Sequence, residues 1–331
     1  MIRPSVRFSG AAALAVLFLP LLSANGQQEV PASPAPNAAA QTPAAPAVPL
    51  EFPKPDPADF TATVPTKAVV EAFISANLGF DDNNKWQVQA ISKTQVEGIS
   101  RVVVLIGDRS GKQQPYRFVF FTTPDGKHII VNDKIIPFGE RPFAEYRAML
   151  QQRANGPYRG SASKDLELVE FADFQCPHCK AAQANMDKLV ADFPKAHIVF
   201  QHDPLASIHP AATTAAAYGV CVTKEKGSTG FFEFASAVFD AQDGLNTADG
   251  ATLTLNSAVA KAGLDPAKVA ACASTPETKA AIDASVKLSQ DLNIASVPTL
   301  VINGRQVPAN APYDTLKQII LYQAKLDGVA Q

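Results

Sequence analysis

The chain has 331 residues, 47% of them hydrophobic and 18% charged, enough apolar side chain for at least one sizeable core. Its 29 Lys and Arg against 31 Asp and Glu leave a formal net charge of −2, without the basic excess that meets a polyanion, so nucleic acid is excluded as an expected partner. The 26 prolines are unevenly placed, with nine between Pro31 and Pro57, and the four cysteines are too few to staple a chain this long. Setting the proline-rich stretch aside leaves room for about two domains.

Residues 1–26 carry Arg3 and Arg7, then the apolar run Ala11–Leu22, then the small residues Ser23, Ala24 and Gly26. This pattern predicts a cleaved secretory signal peptide and hence a soluble protein outside the cytoplasm, in the periplasm or beyond. The alternative is an uncleaved anchor, but the run is about 12 residues long and holds Pro20, against the roughly 20 a spanning helix needs. From 27 to 58 the chain is mostly Pro, Ala, Gln and Val, which reads as a semi-extended linker that buries little.

A first domain is expected over 59–155. Thr66 is placed to cap a helix whose apolar side chains are Val69, Val70, Phe73, Ile74 and Leu78, ending near Gly79. Strands are expected at Trp86–Ile91, Arg101–Ile106 and Arg117–Thr122, and a turn at Pro124-Asp125-Gly126 leads into His128–Val131. Phe143, Tyr146 and Leu150 then recur at helical spacing within Pro142–Arg153. One helix followed by antiparallel strands indicates an α+β unit. It contains no cysteine, no glycine-rich phosphate loop and no cluster of His with carboxylates, so structural or assembly work is expected of it.

Leu166–Phe171 is a short apolar run of the kind that makes a buried strand. Cys176-Pro177-His178-Cys179 follows, and Ala182, Met186, Leu189, Val190 and Phe193 then share one helical face, with Pro194 as the stop. Pro177 thus falls at the first helical position, where its missing N–H is harmless, and Cys176 falls at the helix N-terminus. The unpaired N–H groups and the positive end of the helix dipole favour thiolate over thiol there. His178 is placed to add positive charge or a hydrogen bond, or else to be a solvated helix residue. Stabilising the thiolate makes the corresponding disulfide a good oxidant. Cys176 is then the residue substrate thiols attack, and Cys179, one turn into the helix, is the resolving cysteine. Glu170, an acidic residue in an apolar run, is placed either to accept the proton of Cys179 or to pair with a lysine at the strand edge. A structural zinc half-site is the competing reading of the CxxC pair, but no second CxxC exists in the chain. No metal and no cofactor is expected.

The stretch Glu170-Phe171-Ala172-Asp173-Phe174-Gln175-Cys176-Pro177-His178-Cys179 resembles the DsbA-like branch of the thioredoxin superfamily. Ser296-Val297-Pro298-Thr299, ahead of the strand-like Leu300–Ile302 and the turn Asn303-Gly304, resembles that family's cis-proline loop. The resemblance covers about 160–327. It implies an α/β, thioredoxin-like fold with an inserted helical domain at about 205–292. It also implies that Pro298 packs beside the Cys176–Cys179 disulfide while the Val297 position helps to receive the substrate chain. Taken alone, Val297-Pro298 reads as an ordinary trans turn. Helical patterns fill the insertion at about Ile208–Lys224, Thr229–Asp240, Asn256–Ala262, Pro266–Ala273 and Pro276–Leu292, and a last helix runs from Pro312. Cys221 and Cys272 fall in two of these helices, and in an oxidising compartment they are expected to form a structural disulfide. The alternative, a second redox pair, lacks CxxC spacing.

The segment Thr122-Thr123-Pro124-Asp125-Gly126-Lys127, with the order of domains, resembles the cystatin-like N-terminal dimerisation domain of the DsbC and DsbG isomerases. That likeness implies a homodimer with its thioredoxin-like units across a cleft. The dipeptide Pro177-His178 and the residue Val297 match the oxidases instead. The leading expectation is a periplasmic protein disulfide oxidoreductase that passes its disulfide to reduced secreted polypeptides and is reoxidised by a DsbB-like membrane quinone reductase. The rivals are a dimeric isomerase or reductase acting on misoxidised polypeptides and kept reduced by a DsbD-like donor, and a peptide-binding chaperone without redox turnover.

Overall fold

The computed structural model describes residues 51–111 and 114–329. The expected signal peptide and residues 27–50 of the expected linker lie outside the described residues.

Helix α1 (Lys67–Leu78) begins where Thr66 accepts a hydrogen bond from the N–H of Val69, and it buries Val70, Phe73, Ile74 and Leu78. That face lies on an antiparallel sheet of five strands in sequence order: β1 (Asn84–Lys93), β2 (Ser100–Asp108), β3 (Tyr116–Thr122), β4 (His128–Val131) and β5 (Lys134–Pro137). Phe73, Phe120 and Phe138 meet there with ring centroids 5.0–6.0 Å apart. The strands run longer than their apolar cores suggest, because ladder hydrogen bonds extend into the polar residues at either end. β5 was not expected. It forms because Asn132 adopts a positive φ of 55° and folds the chain straight back on β4. This short hairpin has a consequence for β3, which pairs with β4 through Phe121–Ile130 and Thr122–Ile129 and no further.

Helix α2 (Ala144–Arg153) leads into a second sheet of β6 (Tyr158–Gly160), β7 (Glu167–Ala172), β8 (His197–His202), β9 (Thr299–Ile302) and β10 (Arg305–Pro308). Its order is β10-β9-β7-β8-β6, with β7 and β8 parallel and the other neighbours antiparallel. The parallel pair is joined by α3 (Pro177–Asp192), the crossover that such a pair needs. Residues alternate across the sheet. Leu168, Ile198, Leu300 and Ile302 face α3 and the last helix, α8 (Tyr313–Leu326), while Val169, Phe171, Val199 and Val301 face α2. Covered on both faces, β7 and β8 are buried along their whole length. This is the expected α/β, thioredoxin-like arrangement.

Between β8 and β9 the chain makes four further helices: α4 (Ala212–Asp240), α5 (Ala248–Lys261), α6 (Pro266–Ala273) and α7 (Pro276–Asp291). α4 spans the two helical patterns seen before and after residue 227, and the helix breaks between them at Gly227, whose φ of 68° is open to glycine. It begins at Ala212 rather than Ile208, which is exposed. α5 starts eight residues earlier than its apolar spacing indicates, because Thr247 caps Gly250 and its first turn is polar. A disulfide between Cys221 and Cys272 joins α4 to α6.

Candidate active site

β7 ends at Ala172 and α3 starts at Pro177, so the intervening loop delivers Cys176 to the helix N-terminus as its N-cap, in extended conformation. Both Cys176 and Cys179 are free thiols here, and both are buried. The Cys179 thiol hydrogen-bonds to Cys176 and, as the largest influence, helps to hold the Cys176 thiol down to about 6. Burial works the other way, and the backbone N–H groups of Cys179 and His178 at the start of the helix favour the thiolate further. The same thiol–thiol bond, together with burial, pushes Cys179 far above the usual thiol range. The two sulfurs are therefore strongly unequal: one is poised to be a thiolate and the other to hold its proton.

Val297-Pro298 is cis, in the loop between α7 and β9. The Val297 carbonyl oxygen lies 3.9 Å from Cys176 Sγ. The loop is pinned on both sides, by the Thr299 hydroxyl donating to Ser296 O at 2.7 Å and by the Ala309 N–H donating to Pro298 O at 3.1 Å. Residues 121 apart in the chain thus meet at one sulfur.

Glu170 is 2% exposed, on the face of β7 that lies under α3. Its carboxylate accepts a hydrogen bond from Gln183 Nε2 at 2.9 Å rather than from a lysine. Burial pushes its pKa up to about 7. When ionised, it disfavours the Cys179 thiolate. His178 and Pro177 are exposed on the first turn of α3, and His178 is near Cys176 through its backbone.

Several residues that sequence reasoning passed over hold this loop in place. Asp173, 1% exposed, accepts hydrogen bonds from the N–H of Gln175 (2.7 Å), the N–H of Leu205 (2.8 Å) and His209 Nδ1 (2.7 Å). Its own N–H donates to Cys179 Sγ at 3.4 Å. Gln175 accepts from the N–H of Ala211 at 2.8 Å and donates to Leu245 O at 3.2 Å. Gln242 donates to Phe174 O at 2.8 Å and to Cys176 O at 3.0 Å. The inserted helices are thus stitched to the CPHC loop by buried, hydrogen-bonded polar side chains. Asp173 and Gln175 had a visible signal, two polar residues in an apolar stretch beside the cysteines. Gln242, 66 residues from the carbonyl it binds, had none.

Beneath the loop, His202 is packed among Phe174, Phe200 and Phe231 at ring centroid distances of 5.2–5.7 Å. Neither ring nitrogen has a hydrogen-bond partner, and burial pushes its pKa down to about 4. It is a neutral part of an aromatic core. Among the described residues no group of three or more His, Cys, Asp or Glu side chains converges as a metal site, and no helix is long and apolar enough to cross a membrane.

Among solved structures, a thioredoxin-like oxidoreductase from Silicibacter pomeroyi is 23% identical with a TM-score of 0.46, over 54% of this chain and 98% of that one. Oxidised BdbD from Bacillus subtilis is 21% identical with a TM-score of 0.47, over 51% and 93%. DsbA2 from Pseudomonas aeruginosa is 28% identical with a TM-score of 0.44, over 52% and 96%. Two curated relatives are named as Na(+)/H(+) antiporters. NhaA 3 of Salinispora tropica is 34% identical over 91 residues, 28% of this chain and 14% of that protein. NhaA 1 of Mycolicibacterium vanbaalenii is 32% identical over 171 residues, 50% of this chain and 26% of that protein. The chain thus spans about a quarter or less of the length of these relatives. The thioredoxin family model matches residues 152–321, half of the chain, and that span contains β7, the CPHC turn, α3 and the Val297-Pro298 loop. The chain belongs to the thioredoxin family.

Proposed function

We propose that the protein is an extracytoplasmic thiol-disulfide oxidoreductase of the Dsb type, which donates a Cys176–Cys179 disulfide to reduced, folding polypeptides. The observation that carries this reading is the inequality of the two sulfurs at the start of α3, with Cys176 held near 6 and Cys179 far above it. In the oxidised form, a substrate thiolate attacks Cys176 Sγ; the Cys176–Cys179 bond breaks and Cys179 leaves with the electron pair and takes up a proton. A second thiolate of the substrate then attacks its own sulfur in the mixed disulfide, and Cys176 leaves as a thiolate. The substrate gains one disulfide and the protein gains two electrons, which a DsbB-like membrane quinone reductase would remove.

The electrostatics support the oxidising direction. Groups that stabilise the Cys176 thiolate favour the dithiol over the disulfide and so raise the oxidising power of the pair. Val297, whose carbonyl faces Cys176 Sγ, is the proposed rest for the substrate backbone, beside Pro298. Glu170, buried under α3, is the proposed proton acceptor for Cys179 when the disulfide re-forms. The testing experiment equilibrates the pair against glutathione and reads its redox state by alkylation, with Cys221 and Cys272 left oxidised. A potential well above that of glutathione, with Cys176 alkylation falling about tenfold per pH unit below pH 6, is the expected result. A potential at or below that of glutathione overturns the oxidase reading in favour of an isomerase or reductase served by a DsbD-like donor.

A further inference from the structure

A cavity of about 730 Å³ lies between the two sheets, and β3 forms one of its walls through Arg117 and Val119. β4 pairs with β3 only at Phe121 and Thr122 before the chain turns at Asn132, so among the described residues no strand pairs with Arg117 and Val119 on that side. The direction of the open groups follows from the ladder. The N–H of Thr123 donates to His128 O at 3.0 Å, and hydrogen-bonding residues alternate in an antiparallel pair. The N–H and C=O groups of Val119 and Arg117 therefore point out of the sheet on the β4 side, beyond the end of the hairpin. Roughly 10 Å of strand edge lies along Arg117–Val119, at about 3.4 Å per residue.

The same cavity is lined by Ser296 and Thr299, which bracket Val297-Pro298, and by Gln306 of the edge strand β10. Its walls are tied to each other. Lys134 in the β4–β5 hairpin donates to Asn293 O at 3.0 Å, at the head of the cis-proline loop. Arg305, 5% exposed, donates to the carbonyls of Ala76 and Asn77 at the end of α1. The cleft is therefore formed before anything enters it, which lowers the entropic cost of binding. Unpaired backbone amides and carbonyls select an extended polypeptide over a compact ligand. The lining carries Arg117, Lys134 and Arg305 against Asp133 alone, which favours an acidic side chain in that polypeptide.

We propose that this cavity is a client-binding cleft, in which an extended segment of the client adds as a strand to β3 at Arg117–Val119 while the neighbouring part of the same chain reaches the Val297-Pro298 loop. This rests on the exchange function proposed for Cys176. It gives the first sheet a role in holding clients that needs no second copy of the chain.

The test uses the full chain and a fluorescent peptide of about ten residues, alternating Val and Thr, with one Glu and with Ser in place of a cysteine. Binding is read by anisotropy, alongside a backbone N-methylated form of the peptide. Arg117→Pro removes an outward N–H at an edge where proline is tolerated, and Arg117→Ala removes the charge alone. The expected result is that Arg117→Pro and N-methylation each weaken binding about tenfold or more, and Arg117→Ala by less. Oxidation of reduced glutathione by the Cys176–Cys179 disulfide is followed separately, each protein disulfide taking two electrons from two glutathione thiols to give the dithiol and one glutathione disulfide, and should be unchanged in both variants. Equal binding of the plain and N-methylated peptides overturns the cleft whatever happens to the variants. So does a wild-type dimer that Arg117→Pro makes monomeric, which would give the edge to a second copy. Failure of the wild-type disulfide to oxidise glutathione would instead remove the exchange function while leaving the binding result to be read alone.

Discussion

The first sheet is covered on one face by α1 and leaves Tyr116, Phe121 and Ile135 exposed, whereas the second is packed between helices on both faces. The difference shows in what carboxylates do. Asp125, in the exposed turn between β3 and β4, is held below the ordinary carboxylate range, first by the Thr123 hydroxyl and then by the Lys127 N–H and His128. Glu170, on a strand buried on both sides, is pushed up to about 7 because burial outweighs its one hydrogen bond from Gln183. Local hydrogen bonding decides at the surface and desolvation decides in the interior. The chemistry proposed for this chain sits at the end of the buried sheet, where a thiol pair can be made unequal, and the proposed client edge sits on the sheet that still has backbone to offer.

The sharpest way to break this comparison is Cys176→Ser. Exchange with glutathione disulfide should fall to background while Cys179→Ser keeps the first attack and accumulates a mixed disulfide at Cys176, visible by mass spectrometry. Trapping at Cys179 instead would overturn the order of roles. Next in size is Asp173→Ala, which strands the N–H groups of Gln175 and Leu205 and the ring of His209; a loss of about 3–5 kcal/mol in urea unfolding is expected. Asp125→Ala, the surface counterpart, should leave the urea midpoint almost unmoved. Equal effects at the two positions would end the distinction between the sheets.

Glu170 gives a pH test with a definite sign. Its pKa is raised on folding from 4.5 to about 7, so the folded state binds the proton more tightly than the unfolded one. Its contribution is fully present below pH 4.5 and is lost as pH rises toward 7, by about 3 kcal/mol. Glu170→Gln should flatten that part of the stability profile, measured by urea unfolding across pH 4 to 8. An unchanged slope would mean that the carboxyl is better solvated than its burial indicates. A smaller loss is expected for Gln242→Ala, which frees the carbonyls of Phe174 and Cys176 at about 1–2 kcal/mol. Its use is as a check on the helical insertion: the variant should also alter the pH at which Cys176 alkylation is half-maximal, which a change in stability alone would not do.

Much of the layout was legible before any coordinates. The Thr66 cap, the strand ahead of Cys176 and the helix after Pro177 follow from local rules of capping, apolar periodicity and proline geometry. β5, β6, β8 and β10 escaped notice for a physical reason: three are only three or four residues long, and β8 carries His197, Gln201 and His202 among its apolar residues, so alternation had too little length or contrast to register.

By itself the sequence determined that Cys176 stands at the first turn of a helix, where it meets unpaired N–H groups wherever the rest of the chain goes. Local residues also set the starts of α5, α6 and α7, through Thr247, Asp265 and Thr275 as caps, and the break in α4 at Gly227, although apolar spacing alone places the start of α5 eight residues late. Only the tertiary structure decided how deeply Glu170 is buried, that Val297 O faces Cys176 Sγ, that Gln242 holds the CPHC loop and that β4 pairs with β3 at two residues alone. Those are matters of solvent exclusion and of contacts between segments far apart in the chain. Both depend on how the two sheets and the inserted helices pack, which no local pattern of residues encodes.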